Sequence, residues 1–337
     1  MRITSNNQGQ HFTGMLNNKH LLKSLETISE HGASFTAGTS FIMSLVVRPM
    51  AINATPNIKK ENKQHASTSS FCSALMKLGV VEAVALPIEN AIKKIDNAPN
   101  EYLTPDTIKK FSKTNSKLVD SQSYRLATQF LKLGTGFITA IPKSMLTVAL
   151  IPIVLDKLFP QPDKIEQLPK YNNITKKSLT FTGRDYITKG VSKLLNNKHL
   201  QDFANKHQKL EPDIAKHMSA GTDLLLTTSY SINTAKSQKI KEDQKRPLIL
   251  NSIIGTGITL AGGYPLDNAI KKASQPLLAK FIEANKNSPK LSKYLEGVNI
   301  LRPALIFASI YYIALPIIST FLAGKTDELL SQKKSAH

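Results

Sequence analysis

Six apolar stretches interrupt an otherwise Lys- and Asn-rich chain, at residues 35–52, 70–91, 131–155, 218–232, 247–270 and 300–323. No run alternates apolar and polar positions with a period of two, so the pattern predicts helices throughout. A helix that crosses a bilayer needs about 20 mainly apolar residues. The third, fifth and sixth stretches reach that length with few charges, and the sixth has no formal charge between Pro303 and Gly324. The first carries Arg48, the second Lys77 and Glu82, and the fourth Asp223. Gly79, Gly134, Gly136, Gly255 and Gly257 lie inside these stretches, as do Pro142, Pro152 and Pro316. Internal Gly and Pro weaken helices in water but are commoner in bilayer helices, where small residues let backbones approach closely. These glycines are therefore expected at helix contacts.

Between the stretches the reading is also helical. Thr104-Pro105-Asp106 is a helix-start signal. Residues 184–210 space Ile187, Val191, Leu194, Leu195 and Phe203 at three to four positions among Lys and Asn, as an amphipathic surface helix does. The first 30 residues are polar throughout and read as a disordered tail without a signal-peptide layout.

A phrase occurs twice, PIENAIKK from Pro87 and PLDNAIKK from Pro265, 178 residues apart. Other matches keep the same order. TAGT (Thr36–Thr39) and SAGT (Ser219–Thr222) are offset by 183, and LIPI (Leu150–Ile153) and ALPI (Ala314–Ile317) by 164. Internal similarity of this kind signals a duplicated unit. The expected organisation is a polar N-terminal tail (1–32), repeat A (33–160), a Lys/Asn-rich amphipathic connector (161–215), repeat B (216–327) and a polar C-terminal tail (328–337). The fold class is all-α, a multi-pass helical membrane bundle of two tandem repeats of about three helices. If all three helices of each unit cross, an odd number inverts the second copy relative to the first; if the first and fourth stretches do not cross, each unit has two helices and the copies are parallel.

Lys plus Arg is 44 against 24 Asp plus Glu, a net charge of +20, and only six of the 44 are Arg. With recognition Arg and stacking aromatics sparse, nucleic acid is not an expected partner. The single cysteine, Cys72, precludes an internal disulfide, and the scattered histidines suggest neither metal nor cofactor. No hydrolase motif occurs, so no catalytic residue is assigned. The lipid bilayer, with anionic lipids attracted to Lys-rich loops, is the expected partner.

Ionisable residues inside a span are costly and mark candidate sites. Glu89-Asn90 and Asp267-Asn268 follow the repeated prolines and, with Glu82, Asp223, Arg48 and Lys143, form a candidate polar pathway. The alternative for the repeated phrase is a helix end leaving the membrane, its lysines reaching for water. The phrase echoes the mitochondrial-carrier signature but departs from it, with Ile92 and Ile270 where that pattern has a base. The expectation is a non-enzymatic membrane protein with transporter- or channel-like architecture. The alternatives are a membrane-associated interaction protein and a soluble helical binding module.

Overall fold

The computed structural model describes residues 16–54, 60–112, 117–158, 184–240, 242–316 and 318, and among these it is all-helical, without strands. The tail 328–337, the connector up to residue 183 and the end of the sixth stretch lie outside the described residues. Helix α1 is Lys19–Glu30. Helix α2 runs Gly32–Ile42, passes through a π segment (Met43–Val47) and ends as Arg48–Ala54. Helix α3 is Lys60–Met76, a π segment Lys77–Val81 and Glu82–Asn97. Short helices α4 (Pro99–Tyr102) and α5 (Pro105–Phe111) lead to the 37-residue α6, Gln122–Leu158. Then follow α7 (Arg184–Leu195), α8 (Lys198–Lys206), α9 (Ile214–Lys236), α10 (Glu242–Ala273), α11 (Gln275–Asn285) and α12 (Leu291–Ser309), extended by a π segment Ile310–Ala314.

Residues 1–15 of the expected N-terminal tail lie outside the described residues, but from residue 16 onward it is helical and not disordered. Asn18 caps α1 by accepting from the His20 and Leu21 N–H groups, and Leu25 and Ile28 are buried at helical spacing. The polar composition concealed a cap followed by a short apolar stripe, which is enough when a neighbour covers it. Two of the π segments have an evident cause. Proline lacks an N–H and its ring presses on the carbonyl four residues back. For Pro49 and Pro316 that carbonyl belongs to Leu45 and Tyr312, each inside the widened turn before the proline.

Contacts fix the direction of each long column. Column α1–α2 runs antiparallel to α3, with Ala33 against Glu89 and Ser44 against Ser70. Likewise α9 runs antiparallel to α10, with Lys216 against Asp267 and Thr227 against Thr256. In contrast, α9 runs parallel to α6: Glu211, just ahead of α9, meets Gln129, Thr222 meets Gly136 and Ser229 meets Ser144. Column α1–α2 is parallel to α12 in the same way, Leu25 against Gly297, Gly32 against Ile300 and Arg48 against Tyr311. The last three columns therefore run in the same sense as the first three, the parallel and not the inverted arrangement of the two the sequence left open. The physical reason lies in where the described chain leaves off and resumes. Helix α6 rises about 55 Å and carries Leu158 to the far end, while Lys94–Asp185 (3.5 Å) and the Thr104–Asn196 hydrogen bond dock α7 at the head end, where α3 finishes.

At the head end a conventional core forms. Ile92, Ile95, Phe111, Tyr124, Leu126, Val191 and Leu195 are buried together, and the Phe111 and Tyr124 rings meet edge-on at 5.6 Å. Toward the far end the surface turns apolar, with Ile42, Met50, Ile138, Met145, Ile253 and Ile313 all exposed. Among the described residues four helices are long and apolar enough to cross a membrane: Gly32–Ala54, Ser70–Asn97, Gln122–Val154 and Leu291–Ala314. The fifth stretch, expected among the strongest, is not one of them. In α10, Asn251, Thr256, Thr259 and four glycines dilute its Ile and Leu.

Gly297 sits where a Cβ would collide with the backbone carbonyl of Leu25, which cannot swing aside. Gly297→Val is expected to destabilise the fold by about 1–3 kcal/mol, the usual range for overpacking. Gly38→Ala, with open space around its Cβ position, is expected to leave stability unchanged or slightly raised. Thermal unfolding of the two variants, followed by circular dichroism, checks both.

Candidate functional site

The two repeated acids are completely buried at the head end. The helical ladder breaks at His31, between α1 and α2, and so frees the first N–H groups of α2. Glu89 fills that position. It accepts from the Ala33 N–H (2.8 Å), the Ser34 N–H (3.1 Å) and the Ser34 hydroxyl (2.6 Å), with His31 Nδ1 at 3.3 Å. An anion at a helix N-terminus is favoured by the unpaired donors and by the helix dipole. Asp267 is held differently. Arg302 Nε donates to it at 2.7 Å and Lys216 Nζ at 3.0 Å, and Lys216 also reaches the Asn268 side-chain oxygen at 3.0 Å.

Each phrase also sends a lysine to the acid just ahead of the first column's break. Lys93 pairs with Glu30 at 2.9 Å, and Lys271 with Asp213 at 2.7 Å. Glu30 and Asp213 stand 183 residues apart, as do Ala33 and Lys216. A third pair, Lys132 and Glu296, is buried where α6 faces α12, at 3.1 Å, with Lys132 also donating to the Ser29 carbonyl at 2.7 Å. These two residues are 164 apart.

Burial raises the Glu30 carboxyl, but hydrogen bonds and charge from Lys93 and Lys293 outweigh it and hold the group below its usual value. Asp213 is likewise lowered, burial being overcome by Lys271, Lys216 and Arg302. Glu211 goes the other way. Its burial raises it, and Arg125 and Gln129 only partly offset the effect.

The remaining sequence-predicted residues scatter. Glu82 is half-buried beside Ser34 and Glu89, while Asn90 and Asn268 are exposed. Asp223 is half-buried on α9, and Lys143 is buried on α6. Arg48 lies toward the far end against Tyr311. Glu89 and Asp267 are each enclosed by their own donors and do not meet across a shared path. Of the glycines, Gly136 approaches Thr222, with 2.6 Å from its Cβ position to Oγ1, and Gly255 approaches Leu315 at 2.8 Å. Gly134 has only an ordinary contact with Met218, and Gly79 and Gly257 have open space. The closest helix contact, at Gly297, lies in α12 ahead of the sixth stretch, so the apolar pattern did not mark it.

Sequence reading also missed a polar stripe. Thr128, Lys132, Thr135, Thr139 and Lys143 recur every three or four residues on α6, all buried, while Ile138, Ile141 and Met145 on the same helix are exposed. The Thr135 and Thr139 hydroxyls bond back to carbonyls of α6, and at the far end Ser144 joins Ser229 (2.5 Å) and Asn233 (2.9 Å). The signal was present as a helical period of Thr and Lys, hidden because the surrounding residues are uniformly apolar. Among the described residues no group of three His, Cys, Asp or Glu is placed to hold a metal ion.

No protein-family model matches the chain, and no curated protein or solved structure matches it.

Asp267→Asn leaves Lys216 and Arg302 facing a neutral group in a buried site. It is expected to cost about 3–5 kcal/mol, the usual penalty for breaking a buried ion pair. Glu89→Gln keeps an acceptor for the α2 N–H groups and is expected to cost less, about 1–3 kcal/mol. Chemical denaturation of the two variants measures the difference. Glu30 and Asp213 have lowered folded values, so their stabilisation is present above the free-carboxylate range and lost as pH falls through the folded values. The unfolding temperature is expected to drop as pH falls below about 4.5, and the Glu30→Gln/Asp213→Asn double variant is expected to flatten that slope.

Proposed function

We propose that this protein is a multi-pass membrane protein built from two parallel copies of a three-helix unit, offering a polar path between them and performing no chemistry of its own. The observation that carries the reading is the reversed layering of α6, with Ile138 66 % exposed and its neighbour Thr139 2 %. In water that arrangement wastes the hydrophobic effect, whereas in hydrocarbon it is the favourable one. The other columns repeat it: Ser44 is buried beside exposed Ile42 and Val46, and Thr256 beside exposed Ile253 and Ile254.

Duplication is supported by the shared offsets of the charge contacts. Each phrase meets the first column of its own set at corresponding positions, and Lys132–Glu296 joins corresponding positions of the two third columns. A two-fold axis along the bundle would pass near that pair. The path would run from there along the α6 stripe toward Ser144, Ser229 and Asn233.

A second reading, a helical interaction protein lying against a membrane without crossing it, is favoured by one observation. Leu158 and Arg184 lie at opposite ends, and the residues between them include Asp163, Lys164, Glu166, Lys170, Lys176 and Lys177. Such a segment crosses hydrocarbon only when shielded by protein or water.

Cysteine accessibility separates the readings, in a Cys72→Ala background and on membranes. In the spanning bundle, Ile138→Cys faces lipid and is expected to resist a water-borne maleimide, while Thr139→Cys reacts. Reaction at Ile138→Cys as fast as at Lys193→Cys, an exposed head-end position, would favour the second reading. Silence at both 138 and 139 would mean a dry interface and no path.

A further inference from the structure

Arg48 has a setting unlike that of the other well-placed arginines. Arg125 pairs with Glu211 at 3.3 Å, and Arg302 with Asp267 at 2.7 Å. Arg48 instead donates from Nη1 to the Tyr311 hydroxyl at 2.9 Å, and its guanidinium carbon lies 4.8 Å from the centre of the same ring. Tyr312 packs edge-on against Tyr311 at 4.8 Å, and Tyr312 and Tyr230 of α9 lie within electrostatic reach of the guanidinium. Arg48 Nε is buried and has no hydrogen-bond partner among the described residues.

A neutral phenol and a ring face orient a guanidinium, but they do not neutralise it as a carboxylate does. A buried donor left unmade carries a desolvation penalty that a ligand acceptor would relieve. The proline-induced π segments place Arg48 immediately after one widened turn, Met43–Val47, and Tyr311 within the other, Ile310–Ala314. Position along the bundle identifies the ligand class. Arg48 is about two turns from the end of α2 at Ala54, and Tyr230 is about two turns from the end of α9 at Lys236. That is the depth at which tyrosines gather near lipid headgroups. Among the described residues at that end, Lys63 near the start of α3, Lys239 ahead of α10 and Lys245 in its first turn add basic charge that would concentrate anions.

We infer that Arg48, positioned by Tyr311, is a binding site for a phosphate-bearing anion at the far end of the bundle. The guanidinium supplies a planar fork that donates to two phosphate oxygens at once, which a lysine could not do. The inference rests on the membrane reading, because a lipid headgroup is the phosphate most abundant at that depth.

The test uses the full chain in neutral detergent and reads thermal unfolding on addition of short-chain phosphatidylglycerol, short-chain phosphatidylcholine or inorganic phosphate. Phosphatidylglycerol is expected to raise the unfolding temperature by several degrees, and phosphatidylcholine to have less effect. Arg48→Gln is expected to abolish the shift. Tyr311→Phe, which keeps the charge, is expected to weaken apparent affinity roughly ten-fold, the scale of one hydrogen bond to a charged group. Circular dichroism establishes that each variant is folded. If inorganic phosphate stabilises as well, the source is a free anion; if only phosphatidylglycerol does, it is a lipid. An equal shift in wild type and Arg48→Gln, equal effects of the two lipids, or no shift in wild type each overturns the proposal. Flotation with pure phosphatidylcholine vesicles tests the membrane reading separately: failure to float sinks that reading whatever phosphate does.

Discussion

A charged layer kept away from water at one end of the bundle organises everything else. Lys132 and Glu296 meet between α6 and α12, Lys216 and Arg302 enclose Asp267, and the α2 N-terminus encloses Glu89. Buried charges are tolerated only in good geometry, with every remaining donor and acceptor satisfied. That requirement fixes the register of all six columns at once, because a slip of one residue in any of them would strand an ion. Apolar contacts toward the far end are far more permissive.

The two acids show how one phrase accommodates two environments. At position 33 the first column offers alanine and a free backbone N–H; at the corresponding position 216 it offers lysine. Glu89 therefore relies on main-chain donors and Ser34, while Asp267 relies on cations. Glutamate has the extra methylene needed to reach backbone, and the shorter aspartate suits long cationic partners that come to it.

The helical class and the approximate positions of the long columns were legible from apolar runs, because those runs are long and bounded by lysine. The repeated phrase drew attention to Glu89 and Asp267, both of which are buried. Their partners were not legible: Ala33, Ser34 and Lys216 lie where nothing in the local pattern marks a contact. The α1 helix was hidden by its polar composition, and the buried face of α6 by apolar neighbours on every side of it. The relative direction of the halves was left open for a different reason. Counting crossings assumed that the chain enters the second half where it leaves the first, and docking of α7 against α3 at the head end breaks that assumption.

The parallel sense of the two halves, taken with the duplication proposed above, has an evolutionary consequence. A half-length ancestor would have assembled as a symmetric pair, each residue on the axis facing its own copy. At the place now held by Lys132 and Glu296, such a pair would have set lysine against lysine or glutamate against glutamate. Only after fusion could the two genes' descendants diverge to opposite signs there. That divergence would make the order of the halves irreversible, since neither could again find a stable mate in a copy of itself.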